Sequence, residues 1–87
     1  QDDYSKAISL YPNPNKGSMT LTYQLNETDK GEMVIFDLEG RKLHSYSLNA
    51  NENSTIIEEN SLSNGVYLYK VYINDKAVKT DRIIIIK

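Results

Sequence analysis

The stretch Ser18-Met19-Thr20-Leu21-Thr22-Tyr23-Gln24-Leu25 decides the fold: Met19, Leu21, Tyr23 and Leu25 alternate with Ser18, Thr20, Thr22 and Gln24. A period of two sends successive side chains to opposite faces, the pattern of a strand with one buried and one wet face. Working outward, the same period recurs. Residues 7–11 read as a first strand, and Met33-Val34-Ile35-Phe36 is apolar on both faces, as expected of a central strand. Residues 43–48 and 54–58 follow. Residues 66–73 set Tyr67, Tyr69, Val71 and Ile73 against Val66, Leu68, Lys70 and Tyr72, and residues 78–86 make the last strand. No window sustains the i, i+3, i+4, i+7 spacing of an amphipathic helix over three turns. The chain is all-β.

The punctuation agrees. Pro12-Asn13-Pro14-Asn15-Lys16-Gly17 is a turn, because residues before proline favour extended backbone and Gly17 tolerates positive φ. Asp37-Leu38-Glu39-Gly40 fits a type I turn with a left-handed glycine. Asn74-Asp75 fits a two-residue hairpin loop, and residues 60–65 form a polar connection. Seven short strands at this spacing predict an antiparallel sandwich, with an open barrel as the competing architecture.

Composition narrows the function. Eighty-seven residues make one domain. Ten Lys+Arg against twelve Asp+Glu leave a net charge of −2, which argues against a general nucleic-acid binder. Cysteine is absent and there is one histidine, so disulfides, thiolate sites and multi-histidine metal cages are excluded. The longest unbroken apolar run is Ile83 to Ile86, far short of the ~20 residues of a membrane-spanning helix. Charge is uneven: residues 76–87 carry four bases against one acid, and residues 1–75 carry six against eleven. The final strand is therefore basic and rich in isoleucine. At a sheet edge its backbone would be a template for another strand, with lysines as the usual protection.

The chemistry on offer is sparse. His44 has no nearby serine–acid pairing of the kind a catalytic triad uses. Asp2, Asp3, Asp37 and Glu39 lack the D-x-D-x-D-G spacing of a calcium loop, and Asp37 reads as a turn acceptor. Glu58 and Glu59 are adjacent on a strand and point to opposite faces, a poor catalytic couple. Seven tyrosines against one phenylalanine raise a second reading, a carbohydrate-binding module stacking sugars on Tyr46, Tyr67, Tyr69 or Tyr72. The plainer account makes tyrosine a good strand former whose ring fills a small core. A structural or adhesive module would use the same fold. Asn26-Glu27-Thr28 and Asn53-Ser54-Thr55 match the glycosylation sequon, which chance produces readily.

The ordered set Tyr11-Pro12-Asn13-Pro14, Gly17, an alternating strand, Val34-Ile35-Phe36-Asp37-Leu38-Glu39-Gly40-Arg41-Lys42-Leu43, then Leu62-Ser63-Asn64-Gly65-Val66-Tyr67 and a lysine-bearing final strand resembles a known family. It is similar to the type A C-terminal sorting domain of type IX (Por) secretion cargo in Bacteroidota, over residues 7–87. The resemblance implies an immunoglobulin-like antiparallel β-sandwich of about seven strands, no enzymatic activity and no cofactor. It implies a signal that sends an upstream, covalently linked cargo through the periplasm and across the outer membrane, to the cell surface or outside. The implied partners are the type IX translocon, its shuttle proteins, and a sortase-like cysteine peptidase cutting in the linker before the domain. Residues 1–6 are expected to be a remnant of that linker.

Within that frame, Pro12, Asn13, Pro14, Gly17, Asp37, Gly40, Gly65 and Tyr67 are the motif and turn positions. The expected recognition surface is Arg82, Ile83, Ile84, Ile85, Ile86 and Lys87, because it is terminal, basic and open to being an unpaired edge. Exposed strand edges also offer a route to an edge-strand dimer.

Overall fold

The structure is a computed structural model describing residues 7–87; the expected linker remnant, residues 1–6, lies outside the described residues. Alternating sequence becomes seven strands: β1 (Ser9–Tyr11), β2 (Ser18–Thr22), β3 (Gly31–Phe36), β4 (Lys42–Leu48), β5 (Ser54–Glu58), β6 (Gly65–Ile73) and β7 (Lys76–Ile85). They form two antiparallel sheets, ordered β1-β2-β5 and β4-β3-β6-β7. Two separate sheets make this an immunoglobulin-like sandwich and set aside the open barrel.

The period of two determines what meets between the sheets. Met19, Leu21 and Ile57 of the smaller sheet face Met33, Ile35, Tyr69, Val71, Ile83 and Ile85 of the larger, all fully or almost fully buried. Each such aliphatic side chain contributes about 1.5–3 kcal/mol on leaving water. The apolar run in β3 has the expected cause. β3 lies between β4 and β6, so even its outward Val34, flanked by Ser45 and Lys70, is buried.

Several boundaries differ from the sequence reading by one to three residues, and at two of them pairing gives the reason. β2 stops at Thr22, not Leu25: β1 begins at Ser9 and β5 at Ser54, both opposite Thr22, so neither neighbour extends the ladder to Tyr23. Tyr23 stays in the core, its N–H donating to the Asn53 carbonyl at 3.0 Å and its hydroxyl to the Asn49 carbonyl at 3.1 Å. β7 starts earlier, at Lys76, because Asn74 and Asp75 take φ of 55° and 68° and close a hairpin directly onto Ile73. These are the left-handed angles that a tight hairpin loop needs.

Candidate functional site

The final strand divides its side chains between core and solvent. Ile83 and Ile85 are fully buried and join the core cluster. Arg82 is exposed, Ile84 half-buried, and Ile86 is 56% exposed. One side of the strand pairs with β6, where Arg82 lies opposite Leu68 and Ile84 opposite Val66.

The other side is occupied too, which corrects the expectation of an unpaired edge. The Asn13 carboxamide donates to the Arg82 carbonyl at 2.8 Å and accepts from the Ile84 N–H at 2.9 Å. Asn15 then pairs through its backbone. Its N–H donates to the Ile84 carbonyl at 2.9 Å, and its carbonyl accepts from the Ile86 N–H at 2.9 Å. Pro12 and Pro14 have no N–H to offer a ladder, so the Asn13 side chain supplies the missing donor and acceptor. Both X–Pro bonds, Tyr11–Pro12 and Asn13–Pro14, are cis. Lys87 is also tied down: its N–H donates to Asn64 Oδ1 at 2.9 Å and its Nζ to the Asn60 carbonyl at 2.7 Å.

The motif positions hold this arrangement. Asn15 is buried; its Oδ1 accepts from the Gly17 N–H at 2.8 Å while its Nδ2 donates to the Pro12 carbonyl at 3.1 Å. Gly17 has φ of 114°, and a Cβ there would lie 3.0 Å from the Glu59 carbonyl oxygen. The same close approach lets the Glu59 N–H donate to the Gly17 carbonyl at 2.6 Å. Asp37 closes the β3–β4 hairpin as its sequence position predicted. Its Oδ1 accepts from the backbone of Glu39 and Arg41 at 2.9 Å, and its Oδ2 from Arg41 Nε at 2.7 Å. Those bonds, the Arg41 backbone and side chain first, hold the Asp37 carboxyl below the usual aspartate range. Gly40 completes the turn at φ of 93°, and Gly65 opens β6. Tyr67 packs on the core while its hydroxyl donates to the Ser63 carbonyl at 2.7 Å, bracing the β5–β6 connection.

One cluster was not legible in the sequence. Glu58 and Glu59 do point to opposite faces, and Glu59 turns inward to 1% exposure. Its carboxylate meets His44 Nδ1 at 2.5 and 2.6 Å and accepts a hydrogen bond from the Tyr46 hydroxyl. These contacts tie the end of β5 to β4 across the sandwich. Among the described residues no hydroxyl or thiol is bonded to His44, so this arrangement lacks a nucleophile of the triad kind. It satisfies a buried charge that would otherwise be costly.

The other candidate chemistry does not assemble. Tyr69 is buried, and burial followed by the nearby Asp81 pushes its hydroxyl pKa up to about 12. Tyr46 and Tyr69 face the interior while Tyr72 faces outward, so the three share no stacking face. Among the described residues no group of His, Asp and Glu is placed to hold a metal ion; Asp2 and Asp3 lie outside them. Two adjoining concavities of about 490 and 630 Å³ share Gln24, Asn53 and Ser54 and carry one carboxylate, Glu52. That lining has no acid–base pair.

With this geometry in hand, comparison with known proteins gives a match across both sheets. The family model described as the secretion system C-terminal sorting domain matches residues 9–87. No curated protein matches the chain.

Proposed function

The chain belongs to the type IX secretion C-terminal sorting domain family, and from that premise we propose how residues 7–87 serve as the address of a larger exported protein. Membership makes the domain a sorting signal that interacts with the type IX machinery, for export across the outer membrane to the cell surface or the extracellular space. The family is one of signals and not of enzymes.

The finer steps are our reading. An upstream cargo, covalently continuous with the domain, reaches the periplasm and folds there with it. The translocon and its shuttle proteins read the end of β7, where Arg82, Ile84, Ile86 and Lys87 present side chains while Ile83 and Ile85 serve the core. A sortase-like cysteine peptidase then cuts in the linker before the domain, to which residues 1–6 belong. Self-association through strand edges would use β4 or β5, which end their sheets, because Asn13 and Asn15 already cover β7.

The family match over residues 9–87 carries this reading. It is tested by fusing a signal-peptide-bearing fluorescent reporter ahead of the chain in a type IX-proficient host and in its secretion-deficient mutant. Reporter outside the first and trapped in the second is the expected result. Equal retention in both, with the fusion intact and folded, would instead favour a structural module.

A further inference from the structure

The two outer faces of the sandwich differ in kind. On the three-stranded sheet, Ser9, Thr20, Thr22 and Ser54 point outward, with Thr20 between Tyr11 and Ile56. This face mixes hydroxyls with the exposed Tyr11 and Ile56 but carries no lysine or arginine in its strands, and Ser9 and Thr22 bond one another at 2.6 Å. The four-stranded sheet is different. Its outward rows run Lys42–Phe36–Leu68–Arg82, then Val34–Lys70–Thr80, with Val66 beside Ile84 at the end.

Three features of that face bear on binding. First, it exposes apolar area beside its cations: Val66 is 39% exposed, Ile86 56%, and Leu38, in the hairpin turn just past Phe36, 64%. Second, its cations lack partners. Among the described residues, Lys42, Lys70 and Arg82 have no carboxylate within ion-pair distance, and Lys70 sits 5.5 Å over the Phe36 ring. The outward-facing acid of these strands, Glu32, lies in a further row at the far end beside Tyr72, and Asp37 is engaged by Arg41. Third, the end of β7 is closed to a partner strand, since Asn13 and Asn15 occupy the backbone from Arg82 to Ile86.

We propose that this outer face is the surface by which the domain docks on its export machinery, and that the partner is a protein presenting an apolar surface bordered by carboxylates. The proposal rests on the sorting-signal reading above. Charge complementarity selects the partner: three cations that have no acidic partner among the described residues, set among apolar side chains, attract carboxylates and penalise a basic surface. Phe36, Leu68 and Ile84 are half-buried in the sheet, as suits packing against another protein face.

The test is the reporter fusion carrying Lys42→Glu, Lys70→Glu and Arg82→Glu together, beside a control carrying Thr20→Glu and Thr22→Glu on the other sheet. With thermal melting unchanged, the expected result is export reduced about tenfold or more for the face variant and kept for the control. Normal export of a folded face variant overturns the docking proposal and leaves the sorting reading standing. Failure of the unsubstituted fusion overturns both.

A photo-crosslinker at Leu68, compared with one at Thr20, reads the same surface without reversing charge. An adduct at 68 alone, in type IX-proficient cells, whose partner peptide is rich in Asp and Glu, supports the proposal. Equal adducts at both positions, or none at 68, overturn it. Flotation with phosphatidylcholine vesicles only when phosphatidylglycerol is added, lost in the face variant, would assign the face to a membrane instead.

Discussion

The Asn13 carboxamide donates to the backbone carbonyl of Arg82 at 2.8 Å, although 69 positions separate the two residues. With the Ile84 N–H donating back to Asn13 Oδ1, one side chain supplies what a neighbouring strand's peptide group would. The segment after β1 and the end of β7 are therefore one structural unit, and a substitution in either acts on both.

Asn13→Ala should loosen the tail without unfolding the domain. The freed Arg82 carbonyl and Ile84 N–H are at an exposed edge and regain water, so the loss is about 1 kcal/mol. Asn15→Ala removes buried bonds to Gly17 and Pro12 and should cost more, about 1–3 kcal/mol. Urea melts give the ranking. Hydrogen exchange should accelerate at Ile84 in the Asn13 variant; unchanged exchange there would show that the clasp does not hold the tail in solution.

Glu59→Ala should be among the most destabilising polar substitutions. It strips partners from His44 and Tyr46 and leaves a cavity beneath β4. Because the His44 side chain is 48% exposed and can rehydrate, the loss should fall below the 3–5 kcal/mol of a fully buried broken pair, at about 2–3 kcal/mol. Glu59→Gln keeps an acceptor for Tyr46 and should lose less. Equal denaturation midpoints for the two variants would contradict this account.

Gly31→Ala tests a close approach. A Cβ at Gly31 would stand 2.9 Å from Leu25 Cδ1 and 3.0 Å from Leu48 Cβ, so the Leu25 side chain must turn aside and Leu48 must give by a few tenths of an ångström. Overpacking of this kind costs about 1–3 kcal/mol. Adding Leu25→Ala relieves the nearer clash, and the double variant should be more stable than the sum of the two single losses predicts. Strict additivity in the melts would place the strain elsewhere.

Gly31 also shows where sequence reading stops. Strand positions, inward faces and the Asp37 turn were legible because each depends on residues a few positions apart: alternation gives the face, and the Asp37 side chain bonds to Glu39 and Arg41. What sequence did not show depends on residues that only folding brings together. Gly31 is crowded by Leu25 and Leu48, Glu59 is hydrogen-bonded by His44 and Tyr46, and the end of β7 is covered by Asn13 and Asn15. Reading Pro12 to Gly17 as a turn was adequate locally and silent about its partner strand.

Asp37 gives the domain an acid-sensitive hairpin. Its carboxyl is held below the usual aspartate range by hydrogen bonds from the Arg41 backbone and side chain. A depressed folded-state value means that the deprotonated form is favoured in the folded state. The contribution is complete above the unfolded value and is lost as pH falls through the folded one. Asp37→Asn should therefore be less stable than the parent at neutral pH, with the gap narrowing as pH drops below about 4. Urea midpoints against pH for both proteins check this; a gap that stays constant down to acid would remove Asp37 as the cause.

The tail itself must be probed with side chains and not by removing the strand. Deleting residues 83–87 takes Ile83 and Ile85 out of the core, and losing two buried isoleucines at about 2–5 kcal/mol each approaches the whole stability of a small domain. Loss of export after that deletion would report unfolding. Ile86→Asp and Lys87→Ala avoid this, since Ile86 is exposed and Lys87 contributes one side-chain bond, to the Asn60 carbonyl. Both should melt within about 1 kcal/mol of the parent, as surface substitutions generally do. If the exposed end of β7 is read by the machinery, Ile86→Asp lowers export of the reporter fusion while leaving the melt unchanged. Export at the parental level from a folded Ile86→Asp domain would take the end of β7 out of the recognised surface and confine it to the part of the sheet around Lys42, Leu68 and Lys70.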